Sequence, residues 1–265
     1  MKANDFEYDG KSLSSYGFVI CRFGGSNGLE TVSNGSQITF NTMPVQNGTK
    51  HNLVSTQYEN CLETTIQICK ISCFGDFMEI SDFEFRELVQ WLNRKKFLKL
   101  KILDENYIDL YYEATFNISR IEIDGRLYGL ELEVKTNRPF ALKDPKIITI
   151  ENTEANGKYS INDISHEEGY IYPKVEITIK QNGNLTIHNA IENRNTYIAN
   201  CQNGEVITMD YPIIKSSNSS HNIQNDFNWN FFRIANTYEN SRNDLTISLP
   251  CTIKVEYSPV VKVGL

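Results

Sequence analysis

Residues 121–134 form the stretch Ile-Glu-Ile-Asp-Gly-Arg-Leu-Tyr-Gly-Leu-Glu-Leu-Glu-Val, which decides the fold class of the first half of the chain. In its second part, apolar residues alternate with glutamates, so one face of a strand is apolar and the other acidic. Its first part, Ile121-Glu122-Ile123, alternates in the same way before Asp124-Gly125. Because Asp-Gly tolerates the positive φ angles of a type I′ turn, the stretch predicts an antiparallel β-hairpin.

The second half of the chain repeats this alternation in shorter runs. Turn signals at 181–184 and 202–205 separate several of them. The apolar stripes are Val175, Ile177 and Ile179, then Leu245, Ile247 and Leu249, and finally Ile253, Val255 and Tyr257. Short strands at this spacing are typical of an antiparallel sandwich of jelly-roll or lectin-like type.

One segment departs from the period of two. Ser81-Asp82-Phe83-Glu84 fits a capping box, and the residues after it repeat at helical spacing. Three cations then follow where they would complement a helix dipole. The residues concerned are Phe85, Leu88, Val89 and Leu92, followed by Arg94, Lys95 and Lys96. We therefore predict one amphipathic helix at about 82–95 that covers one face of the first domain's sheet.

A domain boundary is indicated at about 138–146, where Arg138-Pro139 and Pro145 interrupt the strands. At 265 residues the chain exceeds the usual size of one domain, although one large β domain is the alternative. We predict a mostly β protein with an N-terminal β domain at 1–140, which holds the helix, and a C-terminal antiparallel β-sandwich at 141–265.

Composition excludes several functional classes. The chain is 40% hydrophobic and 22% charged, as in ordinary globular proteins, and its net charge of −7 does not suit a protein that grips nucleic acid. No segment approaches 18 consecutive apolar residues, and the first residues lack the apolar core of a secretory signal. We expect a soluble protein made in the cytoplasm, without a membrane partner.

Cysteine and histidine patterns favour neither disulfides nor metal. Six cysteines are too dilute for a disulfide scaffold, so we expect buried free thiols at Cys21, Cys61, Cys69, Cys73, Cys201 and Cys251. The spacing of the first cysteines lacks zinc knuckles, and we expect exposed, non-ligating side chains at His51, His166, His188 and His221. The sequence therefore predicts no metal and no cofactor.

Gly24-Gly25-Ser26-Asn27-Gly28 matches the G-x-S-x-G pattern of a nucleophile elbow. Such an elbow needs a helix after the serine, together with acid and histidine partners in order, and no helical period follows Ser26. We interpret the segment as a flexible turn and predict that the protein is not an enzyme.

A carbohydrate site is the alternative function that the sequence leaves open. Aromatic rings stack on sugar faces, and the candidate residues are Tyr170, Tyr172, Trp229 and Phe231. Sandwich cores also use aromatic residues routinely.

Two long polar segments, 24–60 and 215–225, show no clear period and would be floppy loops in a monomer. Long irregular segments inside compact domains are usually functional. Our hypothesis is that part of 24–60 is a hairpin or arm that orders against a neighbouring subunit. The candidate intersubunit residues are Met43, Pro44, Val45, Gln46, Asn47 and Gly48.

Several segments, taken in order, resemble the distal tail proteins of long-tailed bacteriophages, a family also found in phage-tail-like particles. They are the opening at 6–18, Met43–Gly48, Phe85–Leu92, Lys99–Lys101, Tyr111–Ala114, Arg138–Ala141, Asp226–Ile234 and Cys251–Tyr257. One departure is Val45-Gln46, which stands where many members carry Gly-Arg.

The resemblance implies a structural protein of the virion tail tip. It implies a homohexameric ring, with N-terminal domains around a channel and galectin-like C-terminal domains outside. The implied partners are the tail tube protein, the tape measure protein and the baseplate hub or tail-associated protein. DNA would pass through transiently and without specific binding. A carbohydrate-binding adhesin of the tail tip is the alternative.

Charge adds one expectation about such a channel. A basic lining would hold DNA phosphates, whereas six copies of −7 sum to −42, the sign that avoids this. We therefore expect an acidic or neutral channel wall.

Overall fold

The computed structural model describes residues 3–23, 37–45, 50–72 and 74–264, and antiparallel strands dominate it. The mostly β fold predicted from the sequence is confirmed. The chain divides into unit 1, Met1–Leu142 with Lys262–Leu265, and unit 2, Lys143–Val261. The last four residues thus group with unit 1, although the sequence placed them in the second domain.

The elements of unit 1 follow in chain order. The strands are β1 (Phe6–Tyr8), β2 (Lys11–Ser12), β3 (Val19–Cys21), β4 (Ile38–Pro44), β5 (His51–Tyr58), β6 (Glu63–Ile71), β7 (Phe77–Met78), β8 (Leu98–Ile102), β9 (Leu110–Ile123), β10 (Arg126–Thr136) and β11 (Ala141–Lys143). The helix α1 covers Asp82–Leu92, and short 3-10 helices cover Leu13–Tyr16 and Glu105–Tyr107.

The predicted hairpin is the centre of unit 1. Strands β9 and β10 pair from Arg126↔Ile123 to Thr136↔Ala114, and Asp124 and Gly125 between them have φ angles of 50° and 76°. Both values are positive, as a type I′ turn requires. The surrounding sheet has the order β2-β1-β8-β9-β10-β6-β3, with β7 beside β6 and β11 beside β9.

The helix begins where the sequence predicts. The Ser81 side chain accepts a hydrogen bond from the Glu84 N–H, and the Glu84 carboxylate accepts one from the Ser81 N–H, which completes the capping box. The end at about 95 is wrong, because Asn93 is extended and α1 stops at Leu92. Arg94 therefore lies beyond the helix, where its Nε donates to the Trp91 carbonyl oxygen at 3.1 Å.

Trp91 fastens the helix to the sheet. Its ring stacks on Phe6 and Tyr16 at centroid distances of 5.9 and 4.6 Å, and its Nε1 donates to the Tyr8 carbonyl oxygen at 3.0 Å. Leu88 and Leu92 are buried beside it. The helix covers one sheet face as predicted, but the helical pattern did not name Trp91, its largest buried side chain.

Unit 2 contains two sheets of antiparallel strands. The strands are β12 (Lys146–Asn152), β13 (Gly157–Asn162), β14 (Gly169–Ile171), β15 (Lys174–Ile179), β16 (Gly183–Asn189), β17 (Arg194–Cys201), β18 (Val206–Asp210), β19 (Ile213–Ser216), β20 (Ile234–Asn236), β21 (Arg242–Ile247), β22 (Cys251–Tyr257) and β23 (Val260–Val261), with a short helix α2 at Ile223–Asp226.

One apolar core joins the two sheets of unit 2. The first sheet has the order β12-β22-β15-β18-β19 and the second β13-β21-β16-β17, while β14 pairs with β20. Alternate residues of both sheets are buried in a single cluster, including Ile150, Ile177 and Ile253 from the first and Ile187, Ile198 and Leu245 from the second. This is the arrangement of an antiparallel sandwich.

The polar segment 215–225 is ordered around His221. Its Nδ1 lies 2.5 Å from Glu205 Oε1 and its Nε2 lies 3.2 Å from Asp226 Oδ2, and only 2% of the side chain is exposed. The expectations that His221 is exposed and that this segment is floppy are therefore wrong. His221 is buried because it contacts Glu205, and the sequence around His221 does not reveal this partner.

Glu205 is itself buried, and its carboxylate oxygens accept several hydrogen bonds. Its carboxylate also accepts hydrogen bonds from Ser216 Oγ at 2.5 Å and from the Gln202 N–H at 2.9 Å. Burial opposes ionisation of this carboxyl, but the hydrogen bonds from Ser216 and His221 outweigh it, so the pKa of Glu205 lies below its ordinary value. An ionised carboxylate in this position ties the loop to the strand that follows Glu205.

Replacing His221 tests this network. His221→Ala removes one hydrogen-bond donor from a buried carboxylate, so the free energy of unfolding of unit 2 should fall by about 1–3 kcal/mol. Urea denaturation followed by circular dichroism measures the change. His166→Ala, at an exposed histidine, is the matched control and should leave stability unchanged; equal stability of both variants would refute the network's role.

Candidate intersubunit surface

The segment that the sequence left without structure contains a two-stranded hairpin. Strands β4 and β5 pair from Ile38↔Tyr58 to Pro44↔His51, with a bulge between Asn41 and Thr42. Among the described residues these strands pair only with each other. We call residues 37–45 and 50–58 the arm. Every residue of its two strands except Thr39 and Tyr58 is exposed.

The arm carries apolar side chains into water. Phe40 is 62% exposed and Val54 is 64% exposed. We define the arm patch as Ile38, Phe40, Met43, Leu53 and Val54. The pairing of Thr42 with Leu53 places Leu53 on the same face as Phe40 and Ile38, since alternate residues of a strand share a face.

The base of the arm is fixed to unit 1. The Tyr58 ring meets the Phe140 ring edge-on at 5.1 Å, and the Glu59 N–H donates to the Gln37 carbonyl oxygen at 2.9 Å. Just beyond, the Leu62 N–H donates to Thr136 Oγ1 at 3.0 Å. The arm is therefore held firmly where it starts and ends, while the strands between lack a supporting layer in the described chain.

Such a hairpin favours a partner for two physical reasons. An isolated two-stranded hairpin is only marginally stable in water, and its outer edges carry unpaired backbone groups. Full burial of a large apolar side chain contributes about 1.5–3 kcal/mol. A surface that covered the arm patch would therefore stabilise both the contact and the hairpin itself.

The candidate intersubunit residues fall only partly on this surface. Met43 and Pro44 lie in β4, and the Val45 N–H donates to the Lys50 carbonyl oxygen at 2.8 Å. Gln46, Asn47 and Gly48 lie outside the described residues. The sequence missed the rest of the arm patch, although β-branched and aromatic residues in Ile38–Phe40 and Leu53–Val54 were the available signal.

The sheet face away from α1 is polar and acidic. It presents the carboxylates Glu7, Glu63, Glu113, Glu131 and Glu133, together with the cations Lys99, Lys101 and Lys135. Gln67 Nε2 donates to Glu131 at 3.0 Å and Asn117 Nδ2 donates to Glu133 at 2.8 Å. Carboxylates thus outnumber cations on this face, which we call the acidic face.

The other candidate chemistries concern Ser26, the cysteines and the histidines. Ser26 and Cys73 lie outside the described residues, and within the described ranges no cluster of His, Cys, Asp and Glu could hold a metal. Cys69, Cys201 and Cys251 are buried as expected and Cys21 is half-buried, but Cys61 is exposed. Burial raises the pKa of Cys251 to about 12, so this thiol stays protonated.

The helices described here are too short or too polar to cross a membrane.

The four aromatic residues proposed for a carbohydrate site lie together on unit 2, in contact with a fifth ring, Tyr211. The sequence identified these aromatic residues as candidates, and the structure shows that their rings are in contact.

These features define an antiparallel β protein that presents apolar side chains on an exposed two-stranded arm. A family model described as phage tail protein N-terminal domain matches residues 1–138, and one described as phage tail C-terminal domain matches residues 140–257. The chain belongs to this family of phage tail proteins.

A solved structure has the same fold. It is a crystal structure of the SPP1 Dit protein (gp 19.1), described as a paradigm of the hub adsorption apparatus in Gram-positive infecting phages. The TM-score is 0.63 and the identity 12%, over 97% of this chain and 99% of that chain. No curated protein matches the sequence. The resemblance drawn from the sequence is confirmed in both family and fold.

Hydrogen exchange tests whether the arm lacks a partner in the monomer. In a proven monomer, amides of 37–45 and 50–58 should exchange fast, because the hairpin opens readily and nothing covers it. In an assembled state the same amides should be protected. Amides of β9 and β10 are the internal control and should be protected in both states. Strong protection of the arm in a monomer would contradict this account.

Proposed function

We propose that this protein is a structural distal tail protein that forms a ring of six chains at the tip of the tail. The ring joins the tail tube to the baseplate hub and the adhesion device, and DNA passes through its channel. The observation that carries the proposal is the arm, which is anchored at its base and apolar along its strands. Family membership and the shared fold with SPP1 Dit support it.

In this proposal the N-terminal domain, 1–140, forms the ring, and the C-terminal domain, 141–265, is a galectin-like sandwich outside it. The arm of one chain covers a different surface of its neighbour, because head-to-tail contacts of this kind close into rings. The receiving surface is the β6–β7 end, where the exposed side chains are Ile71, Phe74, Phe77 and Met78. Phe74 is 89% exposed.

The acidic face suits the wall of the channel. Carboxylates repel phosphates, so DNA moves past them without the counterion release that would hold it on a basic surface. The asymmetry of the sheet supports this placement, since α1 covers one face and the opposite face is left polar. The partners along the axis are then the tail tube protein, the tape measure protein and the baseplate hub or tail-associated protein, and the location is the virion tail tip or that of a phage-tail-like particle.

Light scattering after size-exclusion chromatography tests the ring. Six chains of 30.5 kDa give about 183 kDa. The double variant Phe40→Glu with Leu53→Glu places two charges in the arm patch, and it should elute as a monomer because burying unpaired charges is costly.

Phe83→Glu is the matched control. Phe83 is 70% exposed on α1, outside the arm patch, so this variant should assemble like the wild type. A wild-type protein that stays monomeric even beside the tail tube protein would contradict the ring. A double variant that still assembles would contradict the role of the arm.

A further inference from the structure

Unit 2 carries a continuous row of aromatic rings. Tyr170 meets Tyr172 at a centroid distance of 5.6 Å, and Tyr172 stacks on Tyr211 at 4.2 Å. Tyr211 contacts Phe231 at 5.3 Å, and Phe231 contacts Trp229 at 6.4 Å. We call these five residues the aromatic row. They come from separate parts of the chain, so the fold, and not local sequence, assembles them.

Three members of the row face water. Tyr170 is 56% exposed, Tyr211 is 55% exposed and Trp229 is 56% exposed. Phe231, by contrast, is buried and belongs to the core of unit 2. The exposed rings therefore stand on a packed base, which limits their movement and lowers the entropy lost when a ligand binds.

The backbone at Trp229 is held in an unusual conformation. Its φ angle is 58°, in the left-handed region that a bulky residue rarely adopts. The preceding residue, Asn228, fixes this turn: its Oδ1 accepts from the N–H groups of Tyr197 and Asn230 at 3.2 and 3.1 Å, and its Nδ2 donates to the Asn195 carbonyl oxygen at 2.9 Å. Three hydrogen bonds of the Asn228 side chain thus hold the turn that presents the Trp229 indole ring to solvent.

One pair of opposite charges lies beside the Tyr170 end of the row. The Arg233 guanidinium lies 3.9 Å from the centre of the Tyr170 ring, and its Nε donates to Glu192 Oε2 at 2.9 Å. This pairing leaves no net charge beside the exposed rings from these two residues. A phosphate-rich or strongly acidic ligand would find no free cation in this pair.

We propose that the aromatic row binds an extended neutral polysaccharide. The C–H faces of successive pyranose rings would lie on Tyr170, Tyr211 and Trp229. Tyrosine hydroxyls and the indole N–H offer hydrogen bonds to sugar hydroxyls at the same time, because these side chains combine an apolar body with a polar edge. The arm patch lacks this combination, since its members are aliphatic except for one phenylalanine. The proposal is independent of the ring.

Tryptophan fluorescence of the full chain provides the assay. The chain has two tryptophans, and Trp91 is buried, so iodide should quench mainly Trp229. The probes are the β-1,4-linked hexamers of glucose and of N-acetylglucosamine. At least one hexamer should shift the emission to shorter wavelength and protect Trp229 from iodide in a saturable way. If neither hexamer does so, the proposal fails.

Variants that keep the reporter locate the site. Tyr170→Ala and Tyr211→Ala should each raise the dissociation constant about tenfold or more, as expected for aromatic residues at the centre of a binding site. Phe83→Ala, which removes an exposed ring from unit 1, should bind like the wild type. Circular dichroism checks that each variant is folded.

If Tyr211→Ala fails to fold, Tyr170→Ala alone decides, because the Tyr170 ring is more than half exposed. Wild-type affinity in a folded Tyr170→Ala or Tyr211→Ala protein would overturn the proposal. A protein that does not form the ring should still bind the hexamers, because a monomer carries the whole aromatic row.

Discussion

A two-stranded hairpin cannot bury either of its own faces, and the proposed assembly of this protein depends on that constraint. All the larger sheets obey the usual rule, in which one face packs on a helix or on a second sheet. The arm is the exception among the described strands, because Phe40, Leu53 and Val54 remain in water. Because Tyr58 packs on Phe140, the arm is anchored to unit 1. Burial of its exposed strands requires a second surface.

The two units bury the apolar faces of their sheets in different ways. In unit 1, α1 covers one sheet face through Trp91 and leaves the acidic face in solvent. In unit 2, two sheets share one core, so their outward faces and edges are free to vary. Unit 1 thus presents an apolar arm and a polar wall, whereas unit 2 presents a row of aromatic rings. In our proposals, assembly and passage of DNA belong to the first unit, and recognition of a ligand belongs to the second.

Features set by neighbouring residues were predictable from the sequence. The turn at Asp124-Gly125 and the start of α1 at Ser81 depend on two to four residues, and both lie where predicted. Features set by distant residues were not predictable. Glu205 buries His221 from sixteen positions away, and Tyr211 joins the aromatic row only because the fold places it there. The arm was predicted as a hypothesis, but Thr and Asn separate the apolar residues of its first strand, which therefore resembled a loop.

Electron microscopy of the assembled full chain tests the central claim most directly, because it shows both the symmetry and the position of the arm. The account predicts a six-fold ring in which the arm, residues 37–45 and 50–58, lies against the neighbouring chain, so that Phe40 and Leu53 are buried. The acidic face would line the opening. An assembly in which the arm points into solvent, or a ring held together without it, would contradict the account.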